Sequence, residues 1–286
     1  MIKINAPAKI NLALKVVCRR EDGYHNIETL FQTIDLYDEL YLSPIDSGVL
    51  LSMDRKDLDM GEKNLIHKAA TRLLEFLSFP GGVKIHLNKR IPIGAGLGGG
   101  SSDAAATLMG IVKLYEFSIS ERDIHSIASS LGADVPFFLN GPTAFGYGIG
   151  DIIEPSPPLP PFWIVLVKPN FSISTAWAYQ KYDSRLTKSV NKIKIIKSAI
   201  EGANYQEIGK SLFNDLESVC FPKYPVLAEI KRELLSLGSC GALMSGSGAS
   251  VFGLFSEQKP AHRAWRSIIS SKISDWEVFL CRTIPK

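Results

Sequence analysis

Residues 91–107 read IPIGAGLGGGSSDAAAT, and this stretch predicts a glycine-rich turn that leads into a helix. Gly94 to Gly100 contains five glycines in seven residues, a run that is entropically costly to order. Such a run is useful where the backbone must approach a ligand closely. A serine-capped apolar helix is predicted from Ser101 to Tyr115, with Asp103 in its first turn. Because helix N-termini attract anions, the stretch predicts a phosphate site.

The glycine run also fits other patterns, each less well. A P-loop needs a lysine before its Ser or Thr, and this run has none. Gly94, Gly96 and Gly99 fit G-x-G-x-x-G, but a dinucleotide fold needs a strand after the loop helix, whereas a second capped helix is predicted from Ser120. The companion motifs of protein kinases are absent from the sequence. A flexible linker would not usually run straight into an apolar helix.

Outward from this stretch, strands and helices mix without regular alternation. Alternating residues predict a strand near residues 9–16, with Lys9 and Asn11 on the face opposite the apolar one. Further strands are predicted at 29–42, 83–87, 162–167, 241–244, 250–255 and 277–282, and further helices at 65–77, 175–182, 190–200, 205–213 and 225–237. This order indicates an α+β fold.

A proline-rich segment marks the clearest boundary between domains. Residues 155–161 read PSPPLPP, and five prolines in seven residues exclude a helix or a central strand. We therefore expect an N-terminal domain over residues 1–154 and a C-terminal domain over 162–286. A chain of 286 residues is long enough for two such cores.

Composition excludes several classes of protein. With 45% hydrophobic and 21% charged residues, the chain is neither disordered nor fibrous. A net charge of +3 without a basic patch argues against a nucleic-acid partner. Four scattered cysteines predict reduced, mostly buried thiols. The N-terminus lacks the apolar core of a signal peptide, so we expect a soluble, cytoplasmic protein with neither a membrane nor an obligate protein partner.

Three motifs, in this order along the chain, resemble those of the GHMP small-molecule kinase superfamily. They are PAKINL at 7–12, which continues to DGYH at 22–25, then GLGGGSS at 96–102 and SGSGA at 245–249, and LGADVP at 131–136 adds to the resemblance. The resemblance covers essentially the whole chain. It implies a two-domain GHMP kinase fold, with an N-terminal domain like the second domain of ribosomal protein S5 and a ferredoxin-like C-terminal domain. It also implies ATP-dependent phosphorylation of a hydroxyl, and DGYH points to members whose substrate carries cytidine diphosphate.

The same resemblance implies roles for individual residues. Asp134 would be the catalytic base, and Lys9 would neutralise charge or hold the attacking hydroxyl. Substrate would be bound by Asn11, Tyr24, His25, Thr175 and Tyr179. ATP would be bound by Asn64, Leu65, Ile66, Lys89, Pro92, Gly94, Ala95, Gly96, Leu97, Gly98, Gly99, Gly100, Ser101 and Ser102. Gly246, Ser247 and Gly248 would close the site from the C-terminal domain.

Structural roles remain open for several of these residues. Asp134 follows a helix end, where aspartate is often a turn residue, and Lys9 could be a solvated surface lysine. Magnesium is expected as a companion of ATP, but its protein ligands are unknown, with Ser102 a candidate. The role of Asp103, where the superfamily often has asparagine, stays open. Rival functions are a mevalonate, homoserine or galactose kinase and a non-catalytic ATP-binding module.

Overall fold

The computed structural model describes residues 1–55, 60–183, 192–271 and 275–285. They form two compact units, the first built from residues 1–8, 36–92 and 98–140 and the second from the described part of 9–35, 93–97 and 141–286. The chain passes between the units inside two long strands, β1 (Ile2–Arg19) and β2 (His25–Ile45), and inside the glycine run. The compact units divide the chain at other residues than the proline segment at 155–161. The expected domain boundary there stays a prediction.

Unit 1 combines a small sheet with helices. After the shared strands it contains β3 (Gly48–Met53), α1 (Leu65–Phe76), β4 (Gly82–Asn88), α2 (Gly99–Tyr115), α3 (Glu121–Leu131) and α4 (Phe137–Asn140). Strand β4 runs antiparallel to β2, from Glu39↔Asn88 to Ile45↔Gly82, and parallel to β3. The sheet therefore carries one long apolar strand pair against which the helices pack.

The core of unit 1 follows from the helical spacing of its apolar residues. In α1 the buried residues are Ile66, Ala69, Ala70, Leu73 and Leu74, the stripe that the sequence predicts. They pack against buried residues of β2, β4, α2 and α3. Each large side chain among them contributes roughly 1.5–3 kcal/mol by leaving water.

The ends of α3 confirm the predicted capping signals. The Ser120 hydroxyl accepts a hydrogen bond from the backbone N–H of Asp123, 3.1 Å away, and donates to its carboxylate. Gly132 forms the C-cap, as expected. These caps fix where the chain leaves α3, which places the turn that carries Asp134.

Unit 2 contains the remaining strands and helices. They are β5 (Thr143–Tyr147), β6 (Ile152–Pro155), β7 (Trp163–Lys168), α5 (Thr175–Asp183), α6 (Lys192–Glu201), α7 (Tyr205–Ser211), β8 (Phe213–Asn214), α8 (Glu217–Lys223), α9 (Pro225–Ser236), β9 (Gly241–Met244), β10 (Val251–Phe255), α10 (Gln258–Ser270) and β11 (Glu277–Arg282). The first two residues of the predicted helix at 190–200 lie outside the described residues.

Four strands of unit 2 form an antiparallel sheet in the order β11-β7-β10-β9. Along the chain these strands alternate with α9 and α10 as β7-α9-β9-β10-α10-β11, which is the ferredoxin-like arrangement. Both helices pack on this sheet, and helices α5 to α8 are inserted after β7. The predicted α+β class and the ferredoxin-like C-terminal fold are confirmed.

A second set of strands in unit 2 brings distant segments beside β1 and β2. Strand β5 pairs antiparallel with β2, and β6 pairs with β5. The short β8 runs parallel to β1, with Ala13 opposite Phe213 and Leu14 opposite Asn214. Sequence analysis did not predict β3, β5, β6 and β8 or the helices α4, α8 and α10.

The state of the cysteines and the character of the helices can be compared with the expectations from the sequence. All four cysteines are free, with Cys220 and Cys281 buried, Cys240 half-buried and Cys18 exposed. In the described part of the chain, every helix falls short of the length and apolar character that a bilayer crossing requires.

Candidate active site

In unit 2, the middle of β1 holds a buried lysine in a chain of hydrogen bonds. Lys9 is only 4% exposed, so it is not a solvated surface lysine. Its Nζ donates to Oδ1 of Asn11 at 2.6 Å and lies 5.2 Å from the centre of the Phe31 ring. Nδ2 of Asn11 donates to the Thr29 hydroxyl at 2.8 Å, and that hydroxyl donates to the carbonyl of Ala13 at 2.6 Å. The chain of donors fixes the orientation of the Asn11 amide, which in turn holds the ammonium.

Thr29 is therefore a site residue that sequence reasoning missed. It is 1% exposed and lies on β2, eighteen residues from Asn11 along the chain. A threonine in an apolar strand carries no signal of its own, because threonine is an ordinary strand residue. Only the polar residue opposite it on β1 gives it a role.

The first part of the glycine run is held by backbone contacts within unit 2. The Lys9 N–H donates to the carbonyl of Leu97 at 2.9 Å, and the Ser250 N–H donates to that of Ala95 at 3.2 Å. Gly96 has φ +75°, and a Cβ added there would lie 2.1 Å from the carbonyl oxygen of Ser245. Glycine is thus required by a close approach; the sequence predicts a ligand as the approaching group, whereas in this structure it is protein backbone.

The approaching group belongs to the Gly-Ser turn between β9 and β10, residues 245–248. The Ser245 hydroxyl donates to the carbonyl of Gly96 at 2.9 Å and accepts a 3.4 Å hydrogen bond from the Asn11 N–H. The hydroxyls of Ser247 and Thr175 are 2.8 Å apart. Of the predicted closing residues, Ser247 therefore meets the predicted substrate residue Thr175, while the neighbouring Ser245 contacts Asn11 and the glycine run.

An aromatic pair lies on the same unit. The His25 side chain is buried, and its ring centre is 5.2 Å from that of Tyr179, with the planes tilted by 33°. Tyr24 is 63% exposed, and its backbone N–H donates to Oδ1 of Asp22 at 3.0 Å. A hydrogen bond from Arg20 lowers the pKa of Asp22. The structure thus brings together His25 and Tyr179 and leaves the Tyr24 ring open to solvent.

In unit 1, the loop helix starts differently from the prediction. Helix α2 begins at Gly99 rather than at Ser101, and its N-cap is Gly98 with φ 67°, so the serine cap was wrong. Among the described residues, no side-chain oxygen caps this helix. The expected position of Asp103 in the first turn is corrected by the same shift, since it becomes the fifth helical residue. Because the first N–H groups of a helix have no intrahelical acceptor, the start of α2 can bind an anion.

Two buried oxygen atoms near this helix start are also noteworthy. Oγ of Ser102 and Oδ1 of Asp103 are buried and lack a hydrogen-bond partner within the described residues. A buried polar oxygen without a partner is energetically costly, so a ligand that satisfies it would bind favourably. A serine hydroxyl can donate to phosphate or coordinate a hard cation.

Lys89 lies between two carboxylates instead of standing free. Its Nζ contacts Oδ2 of Asp38 at 2.5 Å and Oδ2 of Asp103 at 2.6 Å, and all three side chains are buried. Oδ1 of Asp38 accepts from the N–H groups of Arg90 and Ile91. Burial lowers the pKa of Lys89, but both carboxylates outweigh this and raise it. Burial raises the pKa of Asp103 to about 8 against the attraction of Lys89, and Asp38 adds to the rise.

Asp38 is the second site residue that sequence reasoning missed. It lies within the long strand β2, where its sequence neighbours give no sign of Lys89, 51 residues away. The triad ties β2, the segment after β4 and α2 together. It also makes Lys89 a weaker source of positive charge than the sequence suggests.

The other predicted residues of unit 1 have identifiable structural roles. Oδ1 of Asn64 caps α1 by accepting from the Ile66 N–H at 2.9 Å. Ile66 is core, Leu65 is half-buried, and Pro92 is buried just before the glycine run. Asp134 is half-buried in the turn between α3 and α4. Their roles in binding and catalysis stay predictions.

This fold and these loops define a class of enzyme. Residues 64–142 match the GHMP kinases N-terminal domain and residues 196–274 match the GHMP kinases C-terminal domain. The chain belongs to the GHMP kinase family.

Named relatives narrow the class. A 4-diphosphocytidyl-2-C-methyl-D-erythritol kinase from Syntrophus aciditrophicus (strain SB) is 43% identical over 284 residues, covering 99% of this chain and 100% of that protein. A crystal structure of 4-(cytidine 5'-diphospho)-2C-methyl-D-erythritol kinase is 36% identical, has a TM-score of 0.84 and covers 99% of both chains. A homoserine kinase from Cytophaga hutchinsonii shares the fold, with a TM-score of 0.80 at 21% identity and coverage of 99% and 95%.

Proposed function

We propose that this protein transfers the γ-phosphoryl group of ATP to the 2-hydroxyl of 4-diphosphocytidyl-2-C-methyl-D-erythritol, giving the 2-phosphate and ADP. The observation that carries the proposal is similarity over essentially the full chain, at 43% identity, to a kinase named for that substrate. GHMP kinases use ATP as phosphoryl donor. The reaction belongs to the non-mevalonate route to isoprenoids, and the proposal includes the cytoplasmic location expected from the sequence.

Phosphoryl transfer involves two bond changes and the loss of a proton. A bond forms between the substrate oxygen and the γ-phosphorus, the bond from that phosphorus to the bridging oxygen of ADP breaks, and the hydroxyl proton needs an acceptor. We assign proton acceptance to Asp134, in the turn after α3. We assign charge neutralisation and orientation of the hydroxyl to Lys9, whose ammonium is already oriented by Asn11 and Thr29.

Binding of the phosphates is assigned to the glycine run. In this proposal the first N–H groups of α2 face the phosphate chain of ATP, with Gly94–Leu97 held in place by the Gly-Ser turn. Magnesium would neutralise the charge of ATP during transfer. The unpartnered hydroxyl of Ser102 fits a ligand of that ion or of a phosphate oxygen.

Recognition of cytosine is assigned to the aromatic residues of unit 2. The close pair of His25 and Tyr179 supports an aromatic wall for the base, and the exposed ring of Tyr24 is available to stack on a pyrimidine. Mevalonate, homoserine and galactose contain no base that could use these rings. This feature supports the cytidyl substrate over the substrates of other GHMP kinases.

A substrate panel tests the function. Purified enzyme with magnesium and ATP is given the cytidyl substrate, mevalonate, homoserine or galactose, while ADP release is followed. We expect turnover of the cytidyl substrate alone. Turnover of mevalonate without the cytidyl substrate would overturn the specificity, and ATP binding without any turnover would favour a non-catalytic module.

Two substitutions that largely keep the shape of the side chain test the assigned catalytic roles. Asp134→Asn keeps the shape of the side chain but removes the proton acceptor, so turnover should nearly vanish while ATP still binds. Lys9→Met keeps most of the apolar stem and should also lower kcat strongly. Near-wild-type turnover of either variant would remove that residue from the mechanism.

A further inference from the structure

The segment Asn214–Glu217, from the last residue of β8 to the first of α8, carries three polar side chains that bind distant backbone groups. Asn214 is 6% exposed, and the side chains of Asp215 and Glu217 are 7% and 15% exposed. Polar groups are buried at a cost unless they are hydrogen-bonded, so the partners of these side chains indicate what the segment is for.

Asn214 binds two backbone carbonyls on either side of Ser245, at the start of the Gly-Ser turn. Its Nδ2 donates to the carbonyl of Met244 at 2.8 Å and to that of Gly246 at 2.7 Å. Its Oδ1 accepts from the N–H of Leu216 at 3.0 Å, which fixes the direction of the amide. Both hydrogens of the Asn214 NH2 group are therefore donated to the carbonyls that lie on either side of Ser245.

Glu217 binds the N–H of Met244, the residue whose carbonyl Asn214 binds. Its Oε1 accepts from the Met244 N–H at 2.9 Å, while Oε2 pairs with Lys231 at 2.6 Å. The N–H and the carbonyl of Met244 are thus both bound by side chains of one tetrapeptide. This makes the last residue of β9 a fixed point from which the Gly-Ser turn starts.

The turn in question contacts the residues assigned to the reaction. Its Ser245 hydroxyl donates to the carbonyl of Gly96 in the glycine run, and its Ser247 hydroxyl meets that of Thr175. The Gly248 N–H closes the turn on the carbonyl of Ser245 at 2.9 Å. Any rotation of the peptide groups at Met244 or Gly246 would move the Ser245 hydroxyl away from Gly96.

We propose that Asn214 is a positioning residue for nucleotide binding, acting through the Gly-Ser turn on the glycine run, with Glu217 as its support. The proposal rests on the proposed ATP-dependent function. It requires an amide at position 214, since an aspartate would place a negative oxygen against two carbonyl oxygens.

The test compares variants of Asn214 with a matched control in the same segment. Asn214→Ala removes all three hydrogen bonds, and Asn214→Asp keeps the acceptor but loses both donors. Asp215→Ala is the control, because Asp215 accepts from the Val16 N–H on β1 at 3.0 Å and does not bind the turn. For each protein, calorimetry gives the Kd of magnesium AMP-PNP, kinetics give kcat and both KM values, and a thermal melt gives stability.

Both Asn214 variants should raise the Kd of AMP-PNP and the KM for ATP about tenfold, the order expected when a positioned loop shifts. The KM for the cytidyl substrate should change less. Asp215→Ala should lower the melting temperature and leave the Kd of AMP-PNP within about twofold. Loss of stability with unchanged AMP-PNP binding in both Asn214 variants, or an equal rise in Kd for Asp215→Ala, would overturn the proposal.

A second variant keeps the test informative if the Asn214 variants do not fold. Ser245→Ala removes only the hydroxyl that reaches Gly96, so it should weaken AMP-PNP binding to a similar extent, and an unchanged Kd would overturn the proposal. Where all variants fold, the double variant N214D/S245A should bind little worse than either single one, because both break one linkage. If wild type binds AMP-PNP but leaves the cytidyl substrate unphosphorylated, the proposed function fails while these binding comparisons still decide the role of Asn214.

Discussion

Replacement of Gly96 by alanine tests whether the glycine run and the Gly-Ser turn act as one rigid piece. Gly96 has φ +75°, and a Cβ there would lie 2.1 Å from the carbonyl oxygen of Ser245. Ordinary contact begins near 3.4 Å, so the two backbone segments would have to separate by about 1.3 Å. The clashing atom is backbone and cannot rotate away as the end of a side chain would.

The cost has two sources. Alanine in the left-handed region costs roughly 1–2 kcal/mol. Separation of the segments would also break the hydrogen bonds from the Ser245 hydroxyl to Gly96 and from the Ser250 N–H to Ala95, each worth roughly 1 kcal/mol. Gly96→Ala should therefore lose about 3–4 kcal/mol of unfolding free energy. A displacement of about 1 Å in a positioning loop should lower kcat/KM for ATP about a hundredfold.

Gly48→Ala is the matched control, measured beside Gly96→Ala by urea unfolding and steady-state kinetics. Gly48 has φ +74°, but nothing lies within 4 Å of the Cβ position, so only the backbone strain applies. It should lose roughly 1–2 kcal/mol and keep wild-type kinetics. The reasoning is refuted if Gly96→Ala is no less stable than Gly48→Ala and keeps its kcat/KM.

Three further substitutions probe other contacts. Tyr24→Ala should raise the KM for the cytidyl substrate about ten- to a hundredfold with little change for ATP, since base stacking contributes roughly 1–3 kcal/mol; an unchanged KM would end the stacking role. Thr29→Val leaves the Asn11 amide unsatisfied and should cost roughly 1–3 kcal/mol in urea unfolding and lower kcat, whereas Thr29→Ser should restore both. For Asp103, a pKa raised from 3.8 to about 8 means that the folded protein keeps a proton which the unfolded chain releases. Wild-type stability should then fall relative to Asp103→Asn between about pH 4 and about pH 8, and parallel pH profiles would contradict the burial of an ionisable carboxyl beside Lys89.

Much of the fold follows from local patterns. The apolar stripe of α1 and the Ser120 cap of α3 could be read because both depend on spacing within one helix. The start of α2 could not be predicted, because glycine has low helix propensity and the N-cap of α2 is Gly98 rather than a serine. Helix α10 was missed although its buried residues Ala261, Ala264 and Ile268 have helical spacing, because only one of them is large.

The site was predictable where its residues lie in motifs and not where they support motifs. Lys9 and the glycines of the run stand in recognisable strings. Thr29, Asp38 and Asn214 stand in ordinary strands, and each has a partner between 18 and 53 residues away along the chain. Such roles arise from register between strands, which a single sequence does not specify.

The contacts of Lys89 with Asp38 and Asp103 change where an anion would be attracted. The net charge of +3 does not show where positive charge would attract ATP, and Lys89 is one of the residues predicted to bind it. Lys89 instead shares its charge with Asp38 and Asp103, so the triad is neutral while Asp103 holds its proton and negative once Asp103 ionises. The first N–H groups of α2 are then a better source of attraction for an anion at the glycine run than Lys89 is. A serine or aspartate at the N-cap would bind the first N–H groups itself, whereas Gly98 leaves them available to a ligand.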